Sequence, residues 1–358
     1  MTSRQQANEG TTAVRPGLEI DEAKLAAYME AKIPDFSGPL KIEQFKGGQS
    51  NPTYKLTTPD RTYVLRRKPP GKLLKSAHAV DREFRVISAL HKAGIPVAEP
   101  YVLEEDDSII GTAFYIMAFV AGRVFWEPNL PGMEPAERAA IYDAMNDTIA
   151  RLHQVDYEAV GLGDYGRPGN YIARQVARWS EQYRASKTEE IPAMDRLMEW
   201  LPAHIPQGEE TSIVHGDFRI DNMIFHPTEP RVLAILDWEL STLGHPLADF
   251  SYATMLWRLP PHVFSGLKGQ DLKALGIPTE EEYVAAYCRR TGRASIPHWD
   301  FYMIYNIFRM AGILQGIMGR VVAGTATSQH ARDMGALAKP MAEIAWAEVE
   351  RLEARGSV

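Results

Sequence analysis

Across 358 residues the chain carries 39 Lys and Arg against 46 Asp and Glu, a formal net charge of −7 that argues against a nucleic-acid partner, which needs a concentrated basic face. With 45% hydrophobic and 24% charged residues it has the make-up of a soluble globular protein large enough for two lobes and a substantial core. Its one cysteine, Cys288, excludes an internal disulfide and points to a reducing, cytoplasmic setting.

Residues 1–16 are rich in Gln, Thr, Ser and Gly and poor in large apolar side chains, so a disordered tail without a secretory signal is expected there. Asp21 is placed to cap a helix running to Ala31, with Leu25, Tyr28 and Met29 on its apolar side. Strand-like runs follow at residues 40–45, 54–57 and 62–67, separated by Gly and Pro turns. Between the first two runs, Gly47, Gly48, Gln49, Ser50 and Asn51 form a turn whose backbone can approach a ligand and whose N–H groups can hold phosphate oxygens. Taken alone, it reads as an ordinary turn. Alternation in the third run puts Val64, Arg66 and Lys68 on one face.

Ala77 to Lys92 has helical spacing through Val80, Phe84 and Ile87, with Glu83 flanking that stripe. Two further strands, residues 101–104 and 113–119, are joined by an acidic tip, and the second leads to Gly122. Beyond Gly122 the pattern turns helical over residues 135–154, 170–184 and 191–201, and again from residue 260 onward. Phe301 to Met318 is the most apolar long stretch. Asn306, Arg309 and Gln315 interrupt it, which makes it a core helix and not a membrane span, and no membrane partner is expected. Strands followed by helices give an α+β class.

One stretch carries chemistry. Apolar runs at residues 212–214 and 223–225 flank a polar loop holding His215, Asp217, Arg219, Asp221 and Asn222, and a third run, residues 232–236, ends on Asp237. A carboxylate, an amide oxygen and a second carboxylate are the set that deprotonates a hydroxyl and holds Mg²⁺ on a triphosphate.

The pattern H-x-D-x-x-x-x-N followed 15 residues later by Asp237 resembles the catalytic and metal loops of protein kinases. With Gly216 in the loop and Trp238 after the second Asp, it is closer to the aminoglycoside and choline phosphotransferase family. The strings His215 to Asn222 and Leu236 to Glu239 are similar to the kinase-like domain fused to some acyl-CoA dehydrogenases. The resemblance implies a two-lobed protein-kinase-like fold. A small antiparallel-sheet lobe with one helix would span residues 17–121, and a larger, mainly helical lobe residues 122–358.

It also implies ATP and Mg²⁺ as cofactors and assigns roles. Gly48, Ser50 and Asn51 would cover the triphosphate, departing from the protein-kinase G-x-G-x-x-G spacing. Val64 would roof the adenine, and Arg66 would stand where protein kinases carry the phosphate-pairing Lys, with Lys68 as its rival. Glu83 would pair with Arg66. Met117 would gate the nucleotide, with the backbone of Ala118 and Phe119 reading the adenine edge. Asp217 would act as general base, Arg219 would neutralise developing phosphate charge, and Asn222 and Asp237 would hold Mg²⁺. His215 would anchor the loop, Asp249 would fix it through backbone hydrogen bonds, and Asp221 would lie on the surface.

The resemblance also implies a small-molecule alcohol as acceptor. Glu239, Arg174, Arg178, Arg309 and Arg320 are its candidate contacts, and four arginines favour an anionic acceptor such as a hydroxy acid or hydroxyacyl-CoA over a cationic amino sugar. Three alternatives are an aminoglycoside- or choline-type kinase, a nucleotide-binding pseudokinase, and a metal-dependent hydrolase built on His215, Asp217 and Asp237.

Overall fold

Alternating apolar residues along consecutive strands build the sheet on which the first half of the chain is arranged. The computed structural model describes residues 9–47, 51–70 and 79–356. Its main sheet is antiparallel, in the order β1-β2-β3-β4-β6-β5, from β1 (Thr11–Thr12), β2 (Lys41–Phe45), β3 (Thr53–Thr57), β4 (Thr62–Arg67), β5 (Pro100–Glu104) and β6 (Phe114–Ala118). Tyr54, Leu56, Tyr63, Leu65, Phe114 and Ile116 share one face and pack with Leu25, Tyr28 and Met29 of helix α1 (Glu22–Lys32). Each such buried side chain contributes roughly 1.5–3 kcal/mol. Asp21 caps α1 as expected, its carboxylate accepting the Lys24 N–H at 3.0 Å.

The opposite face carries Lys55, Val64, Arg66, Tyr115 and Met117, in the register Lys55 to Val64, Val64 to Met117 and Arg66 to Tyr115. Helix α2 (Val80–Lys92) packs against β5 and β6. Its expected start at Ala77 lies outside the described residues.

Two features depart from expectation. Residues 9–16, expected as part of a disordered tail, include β1, in which Thr11 pairs with Phe45 and Thr12 with Gln44. The Thr11 hydroxyl donates to Glu43 and the Arg15 guanidinium to the Lys46 carbonyl, contacts too distant in sequence for local composition to reveal. The chain also divides differently from the expected boundary at 121. One compact unit takes the described residues up to Leu130 together with Asp156–Tyr165 and Arg219–Ser241, and the other takes Pro131–Val155, Gly166–Phe218 and Thr242–Val358.

In the first unit, Arg219–Ser241 contributes the ribbon of β8 (Met223–Phe225) and β9 (Val232–Ile235). Arg123 exchanges both backbone hydrogen bonds with Phe225 at 2.8 Å. Gly122 is required for this approach, since a Cβ there would lie 2.2 Å from the Phe225 carbonyl oxygen.

The second unit is mainly helical. It contains α3 (Pro135–His153), α4 (Tyr171–Ser186), α5 (Pro192–Ala203), α6 (Pro246–Thr254), α7 (Glu280–Thr291), α8 (Trp299–Val322) and α9 (Ala338–Ala354). A ribbon of β7 (Ser212–Val214) and β10 (Thr242–Gly244) joins them; β10 was not foreseen. Helix α8 is the central core element, with Phe301, Ile304, Ile307, Phe308 and Leu314 buried. Two of the polar residues that interrupt it bond neighbouring segments: the Asn306 amide nitrogen donates to Ala248 O and Ser251 Oγ, and Gln315 donates to Ser186 O. Among the described residues no helix is long and apolar enough to cross a membrane.

Candidate active site

The sheet face opposite α1 lines a cavity of about 450 Å³, all of it within the first unit. Val64, Ala98, Met117, Phe119, Ile224 and Ile235 give it an apolar slot, with Trp126 beside them. Arg66, Glu83, Asp221, Asn222 and Asp237 give it a charged end. An apolar slot ending in convergent polar groups suits a nucleotide. Val64, Arg66, Glu83, Met117 and Phe119 are brought together on this cavity. Trp126, Ile224 and Ile235 were missed. The aromatic run after Gly122 is the signal that would have found Trp126.

Two nucleotide-side expectations need correction. The Ala118 N–H donates to Glu99 O at 2.8 Å and the Phe119 N–H to Thr62 O at 3.3 Å, so the N–H half of the backbone expected to read the adenine edge is engaged within the first unit. Val120 is the following residue on the cavity wall. Asn51, expected over the triphosphate, is fully buried, and its amide donates to Glu83 Oε1 at 2.9 Å. Gly48 and Ser50 lie outside the described residues.

Arg66 is the electrostatic centre of the cavity. Its Nε is 2.8 Å from Glu83 Oε2, and its Nη2 is 2.8 Å from Asp237 Oδ1 and 3.6 Å from Glu239 Oε2. Burial opposes the guanidinium charge, yet Glu83 first, then Tyr115, Asp237 and Glu239, hold it protonated above its ordinary value. Burial also pushes Glu83 up, while Arg66 and the Tyr115 hydroxyl, which donates at 3.1 Å, favour its charged form. Lys68 sits 3.7 Å from Asp81 and is not on the cavity wall. Arg66, not Lys68, occupies the pocket.

Asn222 ends a short 3-10 turn (Ile220–Asn222), and its carbonyl accepts the Leu236 N–H at 2.8 Å, which ties the loop to the strand end carrying Asp237. Asp237 adopts a left-handed backbone (φ 63°), a conformation Asp tolerates better than most residues and one that turns the chain sharply after β9. A hard carboxylate and an amide oxygen on one cavity wall are the donor set of a Mg²⁺ ion shared with phosphates, so these residues fit the ion. Asp221, expected on the surface, is corrected: only 8% of its side chain is exposed, it lines the cavity, and it lies 3.5 Å from Arg219.

In the second unit, Asp217 receives the Tyr252 hydroxyl at 2.5 Å, and its own N–H donates to His215 Nδ1 at 3.2 Å. His215 is fully buried, which supports an anchoring role over metal ligation. Asp249, near the start of α6, accepts the His215 and Gly216 N–H groups at 2.7 and 2.8 Å, as anticipated, and its Oδ2 lies 3.3 Å from His153 Nε2. Burial pushes Asp249 up, but these hydrogen bonds and the nearby imidazoles win, and it stays below the usual carboxylate range.

The acceptor-side residues separate. Arg309 donates to Gly216 O at 2.8 Å, lies 4.9 Å from the Tyr252 ring and 5.7 Å from the Trp179 ring, and Arg178 lies 5.8 Å from the same Trp179. These two come together. Arg174 is corrected, because its guanidinium donates to the Gly169 and Arg167 carbonyls and so braces the loop that precedes α4. Arg320 is exposed in the last turn of α8, about three turns beyond Arg309. Glu239 belongs to the Arg66 cluster of the first unit.

Comparison with known proteins follows the same lines. The family profile described as phosphotransferase enzyme family matches residues 41–305. Acyl-CoA dehydrogenase family member 10 of Mus musculus is 49% identical over 339 residues, covering 94% of this chain and 32% of that protein. Acyl-CoA dehydrogenase family member 11 of Gallus gallus is 44% identical over 343 residues, covering 93% and 44%. The chain thus spans about a third to under half of the length of these curated relatives. A Ralstonia eutropha jmp134 protein, named provisionally as an aminoglycoside phosphotransferase, matches with a TM-score of 0.88 at 57% identity, covering 93% of this chain and 99% of that one. Choline kinase of Cryptosporidium parvum Iowa II matches with a TM-score of 0.65 at 11% identity, covering 94% and 98%, a likeness of fold. The resemblance read from residues 215–239 and the α+β, kinase-like architecture are both borne out.

Proposed function

The chain belongs to the phosphotransferase enzyme family, and from that premise we propose that it transfers the γ-phosphate of ATP to a hydroxyl of a small anionic molecule. The observation that carries this reading is the cavity whose apolar slot ends on Arg66, Asn222 and Asp237. ATP would place its base against Val64, Met117 and Trp126, with the adenine edge read by the backbone at Val120. Its phosphates would lie toward Arg66.

Asn222 and Asp237 would hold Mg²⁺, which when bound screens the phosphate charge. Arg66 then exchanges part of its pairing with Asp237 for phosphate oxygens, which its fork suits. Asp217 orients the acceptor hydroxyl. The hydroxyl oxygen bonds to the γ-phosphorus, the bond to the bridging β-phosphate oxygen breaks, ADP leaves with that electron pair, and the hydroxyl proton passes to Asp217. Positioning and charge carry most of such a transfer, so few reactive groups are needed. Arg219 would approach the transferring phosphate.

Arg178 and Arg309 favour an anionic acceptor. Arg309 bonds one carbonyl among the described residues, while a guanidinium offers five N–H donors. The names of the acyl-CoA dehydrogenase relatives support an acyl group, hence a hydroxy acid or hydroxyacyl-CoA. An ATP-supplied cytosol is the compartment this reading implies. The test is an acceptor screen with Mg-ATP, reading ADP release and the mass of the phosphorylated product. Hydroxyacyl compounds are expected to turn over, and turnover of amino sugars alone overturns the anionic assignment.

The Arg66–Asp237 pair favours one second reading, a nucleotide-binding pseudokinase whose metal carboxylate is held by arginine. Thermal stabilisation by Mg-ATP without transfer to any acceptor is its signature.

A further inference from the structure

The catalytic loop is held from two helices of the second unit at once. On α6, Asp249 and Tyr252 stand three residues apart, so they share a face of the helix. Asp249 takes the His215 and Gly216 N–H groups, and Tyr252 reaches Asp217 Oδ1 at 2.5 Å. From α8, Arg309 lies 4.9 Å from the Tyr252 ring and grips Gly216 O at 2.8 Å. The guanidinium therefore braces the loop backbone and the phenol that bonds its carboxylate. Gly216 itself turns with φ +84°, so this loop depends on its surroundings for its shape.

We propose that Tyr252 is a positioning residue of the transfer: its hydroxyl, backed by Arg309, locks one oxygen of Asp217 and so fixes the direction in which the carboxylate addresses the acceptor. This rests on the assignment of Asp217 as base. A rotating carboxylate samples several orientations, of which few point an acceptor hydroxyl in line with the γ-phosphorus. In a loose phosphoryl transfer the proton leaves late, so an oriented carboxylate matters more than a strongly basic one. A charge-assisted hydrogen bond from a neutral phenol supplies that orientation without adding a second charge to the site.

The experiment compares Tyr252→Phe, Asp217→Asn and the double variant with the wild type in two ways. Phenylalanine keeps the ring beneath Arg309, so the fold is retained. Crystals of wild type and Tyr252→Phe first show the Asp217 side chain directly. A single rotamer on Tyr252 in the wild type and a different or split rotamer in the variant are expected, and the same single rotamer in both overturns the inference, whatever the protein catalyses.

Mg-ATP turnover is then measured, with water as acceptor if no alcohol serves. Tyr252→Phe is expected to lower kcat about tenfold or more, the scale of one hydrogen bond to a charged group. The KM for ATP should stay within about twofold, a split that a general loosening of the fold would not produce. In the Asp217→Asn background the second substitution should cost nothing further. Wild-type kcat in Tyr252→Phe, or additive losses in the double variant, overturns the positioning role alone. Absence of ATP turnover in the wild type defeats the phosphotransferase reading, and the crystals then still decide the role of Tyr252.

Discussion

Arg66 joins helix α2 to the end of β9, with Nε 2.8 Å from Glu83 Oε2 and Nη2 2.8 Å from Asp237 Oδ1. A guanidinium spans both carboxylates because its N–H donors diverge within one plane. A lysine ammonium is a single point and cannot. Arg66→Lys is therefore expected to keep one of the two contacts and to weaken Mg-ATP binding by about tenfold, or about 1.4 kcal/mol. Isothermal titration calorimetry reads this directly, and an unchanged Kd would show that the fork is not used for nucleotide.

Asp217→Asn keeps the shape of the side chain and removes its charge. With Asp217 as base, turnover should fall by about 10²-fold or more while Mg-ATP affinity stays near that of the wild type. Binding and rate are separated by calorimetry and steady-state kinetics on the same preparation. A variant at wild-type rate would remove Asp217 from the mechanism.

Gly122→Ala places a Cβ 2.2 Å from the Phe225 carbonyl oxygen and 2.5 Å from Ile224 Cγ2, at the point where the chain leaving β6 meets β8. Relief requires backbone movement, so a loss of at least about 2 kcal/mol is expected. Gly316→Ala is the control. It lies inside α8 with nothing within 4 Å of the added carbon and should gain up to about 1 kcal/mol from helix propensity. Denaturant midpoints check the pair.

Asp249 gives a pH prediction. Its carboxyl is held below the ordinary Asp value, against burial, by His153, His215 and the loop N–H groups. The native state thus favours the ionised form more than the unfolded chain does. This stabilisation is full above the unfolded-state pKa of about 3.9 and is lost as pH falls through the lower native value. Urea unfolding between about pH 6 and 3 should show Asp249→Asn less stable at the upper end, with the gap to wild type narrowing under acid. A constant gap would contradict it.

What could be read from the sequence followed from local rules. Alternation puts Val64, Arg66 and Lys68 on one face; Val64 and Arg66 line the cavity with Met117 opposite Val64, while Lys68, beyond the end of β4, does not. Asp21, Leu25, Tyr28 and Met29 mark α1 through capping and a 3.6-residue period. The spacing of His215, Asp217, Asn222 and Asp237 marks the family. What stayed hidden depended on partners far away in the chain. The resemblance sets Asn51 over the triphosphate, whereas its buried amide bonds Glu83, 32 residues on. The resemblance gives the adenine edge to the backbone of Ala118 and Phe119, but their N–H groups bond the Glu99 and Thr62 carbonyls. Arg174 looked like a free cation, and the carbonyls of the loop before α4 take it. The division of the chain follows contacts of residues 219–241 that no stretch of sequence displays.

The most direct measurement is a ³¹P NMR time course of ATP with the wild-type protein, Mg²⁺ and a set of hydroxy acids and hydroxyacyl-CoA thioesters. The account predicts decay of the γ-phosphate signal, matched by ADP and a new phosphomonoester resonance that Asp217→Asn does not produce. Persistent ATP, or inorganic phosphate with no ester, would contradict it.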